Sequence, residues 1–299
     1  MPCFHPIPAY RTKGGDVVFT RGLGRGFTNL QIPCGNCLGC RLNRARQWAI
    51  RCIHEASLDK DNNSFLTLTY NDENLPANNS LHRDHFPDFI RSLRKRTRQQ
   101  IRYFHCGEYG DDFGRPHYHA LLFGYTFPDA KLWREVRGNK VYTSDFLSTV
   151  WGKGFTSIGA VTFQSAAYVA RYVLKKQSGP SRVYEFTNKE TGEIYTREKE
   201  YVTMSRKPGL GTGWYEKFGS DVFPRDEIVM DGKTLSVPRF YDKIYECENG
   251  ESALAEIKKE RERKAKKYAH DQTPARLKVR EKVAEHNQKK FKRELIDET

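Results

Sequence analysis

Residues 101–124 read IRYFHCGEYGDDFGRPHYHALLFG. Two strand-length runs, Ile101–Glu108 and His117–Gly124, flank a turn rich in Gly and Asp, Tyr109–Pro116. The pattern predicts a β-hairpin with a long loop. Alternate residues of a strand share a face, so His117 and His119 fall side by side. Glu108 closes the first strand, where hairpin pairing can carry it opposite the histidines. Two imidazoles and a carboxylate form a three-ligand metal site that leaves coordination positions for water and a phosphate oxygen. Mg2+ and Mn2+ both suit this expectation, and the two histidines do not choose between them. The plainer readings are a surface His-x-His and a solvated glutamate at a turn.

Outward from the hairpin, Phe65–Tyr70 reads as a strand and Asp84–Arg98 as a helix capped by Asp84, with Phe86, Phe89, Ile90 and Leu93 facing inward. That helix ends in Arg91, Arg94, Lys95, Arg96 and Arg98 with no acidic partner in the run. A helix precedes the strand, from Arg41 to about Leu58. Beyond the hairpin come a short helix at Ser144–Trp151, a strand at Phe155–Val161, and a helix capped by Thr162 that runs to Gln177. The order α-β-α-β-β-α-β-α predicts an α+β core, a largely antiparallel sheet carrying the histidine pair with helices on one face. Arg182–Thr203 predicts a further hairpin around Glu190–Glu193. The expected organisation is a cysteine-bearing segment (1–40), a core (41–180), a hairpin and glycine-rich extension (181–250) and a charged helical tail (251–299) interrupted at Pro274.

The last predicted core helix carries Tyr168-Val-Ala-Arg171-Tyr172-Val-Leu-Lys175-Lys176. Tyr168 and Tyr172 are one turn apart, and Lys175 shares their face. Packing alone accounts for two tyrosines but not for the basic residues beside them. Combined with a metal held by Glu108, His117 and His119, the pattern suits phosphoryl transfer. A tyrosine hydroxyl attacks phosphorus, a phosphotyrosine forms, and a 3′-OH is released. A second tyrosine would permit a second cleavage while the first is occupied. Lys175 would steady the tyrosinate or the DNA backbone.

The formal charge of +14 over 299 residues points to a polyanionic partner. Residues 251–299 hold fifteen Lys/Arg against ten Asp/Glu, so +9 belongs to the rest of the chain. No apolar run is long enough to span a bilayer, and residues 1–6 lack the basic start of a signal peptide, so work in the compartment of synthesis is expected. Seven cysteines are an odd number for a disulfide framework. Cys34-x-x-Cys37-x-x-Cys40 instead suits structural Zn2+, with Cys3 or His5 as a fourth ligand; packed reduced thiols are the alternative. Pro208–Gly213 and Gly22–Gly26 lack the surroundings of nucleotide loops and read as turns. Without an ATP motif, unwinding falls to a host helicase.

His117-Tyr118-His119 resembles the His-hydrophobic-His signature of rolling-circle endonucleases, and Phe65–Thr69 is similar to their first motif. Tyr168-x-x-x-Tyr172 resembles the two-tyrosine motif of phage A-type replication proteins. Pro33–Arg41, Cys106–Gly110, Arg115–Phe123 and Ser205–Gly211 look like segments of gokushovirus-type microvirus replication-associated proteins. The likeness spans most of residues 1–245. It implies a ferredoxin-like core with the histidine pair on a central strand, and nicking at the origin of a circular viral replicative form. It further implies extension of the 3′-OH by host polymerase, closure of the displaced single-stranded DNA, and work in the cytoplasm of a bacterial host. Arg171 stands where a lysine is often found between the tyrosines. It keeps the charge but cannot readily exchange a proton, so its expected role, like that of Lys176, is contact with DNA. The competing readings are a non-catalytic, zinc-stabilised nucleic-acid-binding regulator and a transposase or relaxase of the same superfamily.

Overall fold

The computed structural model describes residues 3–20, 27–110, 114–136, 138–171, 182–187 and 192–290. The chain opens with β1 (Ile7–Arg11), β2 (Val17–Val18), β3 (Thr28–Ile32) and α1 (Leu38–Ala56). Next come β4 (Asn63–Thr69), α2 (His85–Thr97), β5 (Arg102–Tyr109), β6 (Pro116–Phe123), β7 (Lys131–Val136) and β8 (Asn139–Thr143). They are followed by α3 (Asp145–Trp151), β9 (Thr156–Gly159), α4 (Phe163–Arg171), β10 (Val183–Thr187), β11 (Ile194–Glu198) and β12 (Tyr201–Met204). The chain continues through α5 (Thr212–Val222), β13 (Ile228–Met230), β14 (Lys233–Leu235), α6 (Arg239–Lys266) and α7 (Pro274–Lys290). Contacts divide it into two compact units, residues 45–241 and residues 1–44 with 242–299.

In the first of these units, seven strands form one sheet in the order β12-β5-β6-β4-β9-β8-β7, with every neighbouring pair antiparallel. The expected hairpin is β5–β6, in register Glu108↔His117, Cys106↔His119 and Phe104↔Leu121. β4 pairs along the other side of β6, with Thr69 opposite His117 and Thr67 opposite His119. Period-two alternation then sorts the side chains. Leu66, Leu68, Tyr118, Ala120, Leu122 and Ile158 form one face, against Phe86, Phe89, Ile90 and Leu93 of α2 and Leu147, Val150 and Trp151 of α3. Tyr118, fully buried there, donates its hydroxyl to the His82 carbonyl at 2.7 Å.

Glu108, His117 and His119 stand on the opposite face, and here the expectation of helices on one side is corrected. α4 covers that second face, its Tyr168 ring meeting Phe65 and His119 edge-on, and Trp48 of α1 lies on Phe104. The reason is that Phe65, Phe104 and Leu121 are apolar on this face too, so it requires a cover. Three further differences are local. The edge hairpin β7–β8 was not foreseen, because its mostly exposed residues lack apolar alternation. Asp84 precedes α2 without a side-chain capping bond, whereas Thr162 and Ser165 cap α4 reciprocally, each side chain accepting from the other's N–H. The hairpin expected over Arg182–Thr203 is β10–β11, and its last residues leave it as β12 to edge the main sheet.

In the other unit β1 pairs with β2 and β3, antiparallel in both cases. α6 breaks at Gly250 (φ 85°), and Arg261 beyond the break grips Asp242 before it with two bonds of 2.7 and 2.8 Å. α7 starts at Pro274, the first helical position, where a missing N–H costs nothing.

Candidate active site

The hairpin register brings the three expected ligands together. Their donor atoms lie within 4.8 Å of one another. Glu108 Oε1 is 2.9 Å from His117 Nε2 and 2.7 Å from His119 Nε2. Glu108 and His119 are 1% exposed and His117 7%. The second nitrogen of each ring is engaged. His117 Nδ1–H donates to the Arg115 carbonyl at 3.1 Å, because a carbonyl can only accept. His119 Nδ1 lies 3.0 Å from the Thr67 hydroxyl. The His117 bond fixes its tautomer, so in the neutral ring the Nε2 lone pair faces a carboxylate oxygen. Two acceptors that close need a cation between them, a proton or a metal ion. Burial pushes the Glu108 carboxyl up, but the neighbouring His119 and His117 imidazoles outweigh it and hold the pKa at about 2. Its Oε2 is buried without a hydrogen-bond partner. An orphaned carboxylate oxygen beside two imidazole nitrogens is the donor set of a divalent-cation site.

Tyr168 joins this cluster. It projects from α4, 4% exposed, and its hydroxyl donates to Glu108 Oε1 at 3.1 Å and stands 3.5 Å from His119 Nε2. A phenol oxygen, two imidazoles and a carboxylate thus converge on one point of the sheet. Arg171 ends the described part of the sequence motif. Tyr172, Lys175 and Lys176 lie outside the described residues. Thr67 and the Arg115 carbonyl were not singled out from sequence. Alternation along Phe65–Thr69 puts Thr67 on the same face as Phe65, but only the β4–β6 register sets it beside His119.

The chain is 35% identical over 257 residues to replication-associated protein VP4 of Bdellovibrio phage phiMH2K, covering 82% of this chain and 77% of that protein. It is 31% identical over 293 residues to replication-associated protein ORF2 of Spiroplasma virus 4, covering 89% and 88%. It belongs to the microvirus-type replication-associated protein family. Residues 63–177, which include the whole cluster, match the family model of replication-associated protein ORF2/G2P. Replication-associated protein ORF4 of Chlamydia phage 1 is 28% identical over 222 residues. No solved structure matches the chain.

A second group of donors in the chain is the cysteine cluster. The sulfurs of Cys3, Cys34, Cys37 and Cys40 lie within 4.8 Å of one another. Backbone N–H groups of Phe4, Cys34 and Cys37 donate to the sulfurs of Cys37, Cys3 and Cys34, each at 3.3 Å. Burial raises the Cys37 thiol, but the N–H of Phe4 and other donors outweigh it and hold it down at about 6. Of the two residues expected to complete the set, it is Cys3 that does so. His5 turns away, its Nε2 2.8 Å from Glu281 Oε1.

Several basic residues of the chain have structural partners. Arg51 is sandwiched between Trp48 and Phe240, at 4.1 and 3.6 Å from the ring centroids, and donates to the Leu210 carbonyl. Burial lowers its pKa to about 10. Arg46 donates to the Ser236 hydroxyl. On α2, Arg91 pairs with Asp88 and Arg94 donates to the Ile101 carbonyl, which corrects the expectation of a basic run without an acidic partner. Pro208–Gly211 forms a turn leading into α5 at Thr212, anchored by Gly211 N–H donating to Glu55 Oε2 at 2.6 Å. No helix among the described residues is long and apolar enough to cross a membrane.

Proposed function

We propose that this chain initiates rolling-circle replication of a phage genome by nicking single-stranded DNA at the origin through Tyr168. The observation that carries the reading is the hydroxyl of Tyr168 on Glu108 Oε1, the oxygen shared by His117 and His119. The family supports a role in phage DNA replication, and the +14 charge suits a DNA substrate. We read the core as ferredoxin-like, a reading supported by the strand order β5-β6-β4-β9 with α2 and α3 on one face.

Glu108, His117 and His119 would hold Mg2+ or Mn2+. When bound, the ion supplies positive charge to the scissile phosphate. Glu108 orients the Tyr168 hydroxyl and receives its hydrogen bond. The phenol oxygen attacks phosphorus, the P–O3′ bond breaks, and the 5′ phosphate stays on the tyrosine. The proton lost by the phenol is balanced by the one gained by the departing 3′-oxygen. His117 and His119 are kept in place by the Arg115 carbonyl and Thr67. The bond energy is conserved in the phosphotyrosine, so the 3′-OH of a completed strand can reverse the step and close a circle. Tyr172 would serve the second transfer, Lys175 would steady the phenolate, and Arg171 and Lys176 would contact DNA phosphates. Host polymerase would extend the 3′-OH and a host helicase would unwind, in the cytoplasm of the infected bacterium.

We also propose that Cys3, Cys34, Cys37 and Cys40 bind structural Zn2+. Four thiols with N–H groups directed at their sulfurs are the donor set for a closed tetrahedral site. Such a site would tie the segment before β1 to the first turn of α1.

The test of the enzymatic reading is a denaturing gel of labelled origin oligonucleotides incubated with the protein and Mn2+, Mg2+ or EDTA. A metal-dependent protein–DNA band supports it. DNA binding with no adduct under any metal favours the non-catalytic regulator.

A further inference from the structure

An exposed aromatic pair lies on the site's face of the sheet at its β7 edge. Trp133 and Phe155 are 40% and 42% exposed, and their ring centroids are 5.0 Å apart. The register shows which face they occupy. His117 pairs with Thr69, and Thr69 N–H donates to the Phe155 carbonyl at 2.9 Å, so His117, Thr69 and Phe155 form one row across β6, β4 and the start of β9. Thr156 and Ile158 face the helices α2 and α3, so Phe155 faces the metal-ligand side with Ser157.

On β7 a bulge between Leu132 and Arg134 breaks the alternation. Leu132 pairs with Tyr142, which packs on the α2–α3 side, while Arg134 pairs with Val141 on the other. The extra residue, Trp133, turns to the same side, where the Arg134 guanidinium lies 4.2 Å over its ring. The loop that carries Phe155 is also closely fitted. A Cβ at Gly154 would come within 2.3 Å of the Asn71 nitrogen and 2.6 Å of the Thr69 oxygen.

We propose that Trp133 and Phe155 form a stacking platform for bases of the single-stranded DNA next to the scissile phosphate. The inference rests on the nicking reading for its substrate. Two strand spacings separate the row position of Phe155 from His117, roughly 10 Å, a gap that a short stretch of strand bridges. Exposed rings beside a guanidinium offer what a single strand needs, a π-face for bases and positive charge for the backbone. The half-buried Thr69 between them leaves that end of the row the more open one.

The test compares two fluorescein-labelled probes of equal length, oligothymidylate and a fully abasic strand, by anisotropy in EDTA, so that no cleavage is needed. Wild type should bind oligothymidylate about tenfold more tightly than the abasic strand. In a Trp133→Ala/Phe155→Ala variant that preference should shrink to near unity, with the salt dependence of binding unchanged because no phosphate contact is lost. Trp133→Phe should retain it. An equal preference in wild type and double variant, or none in wild type, overturns the platform. A pair that instead docks another protein gives that same result. If the double alanine variant does not fold, Phe155→Ala alone and the wild-type probe comparison still decide. The two proposals fail separately. A wild type that makes no adduct but shows the ring-dependent base preference sinks nicking alone, and a nicking enzyme without that preference sinks the platform alone.

Discussion

Tyr168 donates its hydroxyl to the same carboxylate oxygen of Glu108 that His117 and His119 approach at 2.9 and 2.7 Å. A phenol, two imidazoles and a carboxylate are thereby held together by two strands and one helix, with no loop needed to assemble them. Tyr168→Phe removes the oxygen but keeps the ring against Phe65 and His119. It should cost at most about 1–2 kcal/mol of stability and reduce the first cleavage by at least about 100-fold. Tyr172→Phe should leave the first cleavage and impair closure. Product analysis on a two-site oligonucleotide separates the two steps.

The proposed cation site makes a prediction independent of catalysis. Added Mn2+ at about 100 times its dissociation constant should stabilise the protein by about 2.7 kcal/mol. That gain should vanish in His119→Ala and Glu108→Gln, as read by urea unfolding with and without the ion. A stabilisation that survives in both variants places the ion elsewhere.

Hairpin register was the part of the site most legible in the sequence. The alternation of residues 101–124 put His117 and His119 on one face with Glu108 able to pair opposite them, and the observed register sets Glu108 against His117. The core faces of α2 and β4 were legible for the same reason, periodic apolar residues. What was not legible depended on pairing between distant segments. Nothing in Phe163–Arg171 says which face of the sheet the helix covers, and the choice is made by Phe65, Phe104 and Leu121 once they share a surface. Cys3 and His5 were equivalent as ligands until Glu281 drew the histidine away. The β7–β8 hairpin escaped because edge strands need no apolar face.

The cysteine cluster predicts one equivalent of zinc per purified chain, retained in His117→Ala/His119→Ala and lost in Cys34→Ser/Cys37→Ser. Loss of the ion should lower stability by several kcal/mol, because metal binding is coupled to folding of the segment it ties. Elemental analysis alongside thermal unfolding checks both. Zinc lost together with the histidines would mean that the thiols do not hold it.

Stability should fall on mild acidification. His54 is buried, its ring stacked 3.5 Å from Trp214, and burial holds its pKa down at about 3. In the unfolded chain it titrates near 6.5. Between those values the unfolded state carries a proton that the native state refuses, so stability is full above pH ~6.5 and declines below it. The slope is up to about 1.4 kcal/mol per pH unit from this residue. His54→Gln should be less stable at pH 7 yet lose less between pH 7 and 5 by urea unfolding. Equal slopes would show that His54 is already protonated or is solvated.

The most direct measurement is peptide mapping of the covalent product. The protein is incubated with an origin oligonucleotide and Mn2+, digested, and the nucleotide-bearing peptide is identified by mass spectrometry. A 5′-phosphonucleotide is expected on Tyr168 after the first cleavage, absent with EDTA. A product cleaved without any adduct, or an adduct confined to a residue remote from Glu108, His117 and His119, would contradict it.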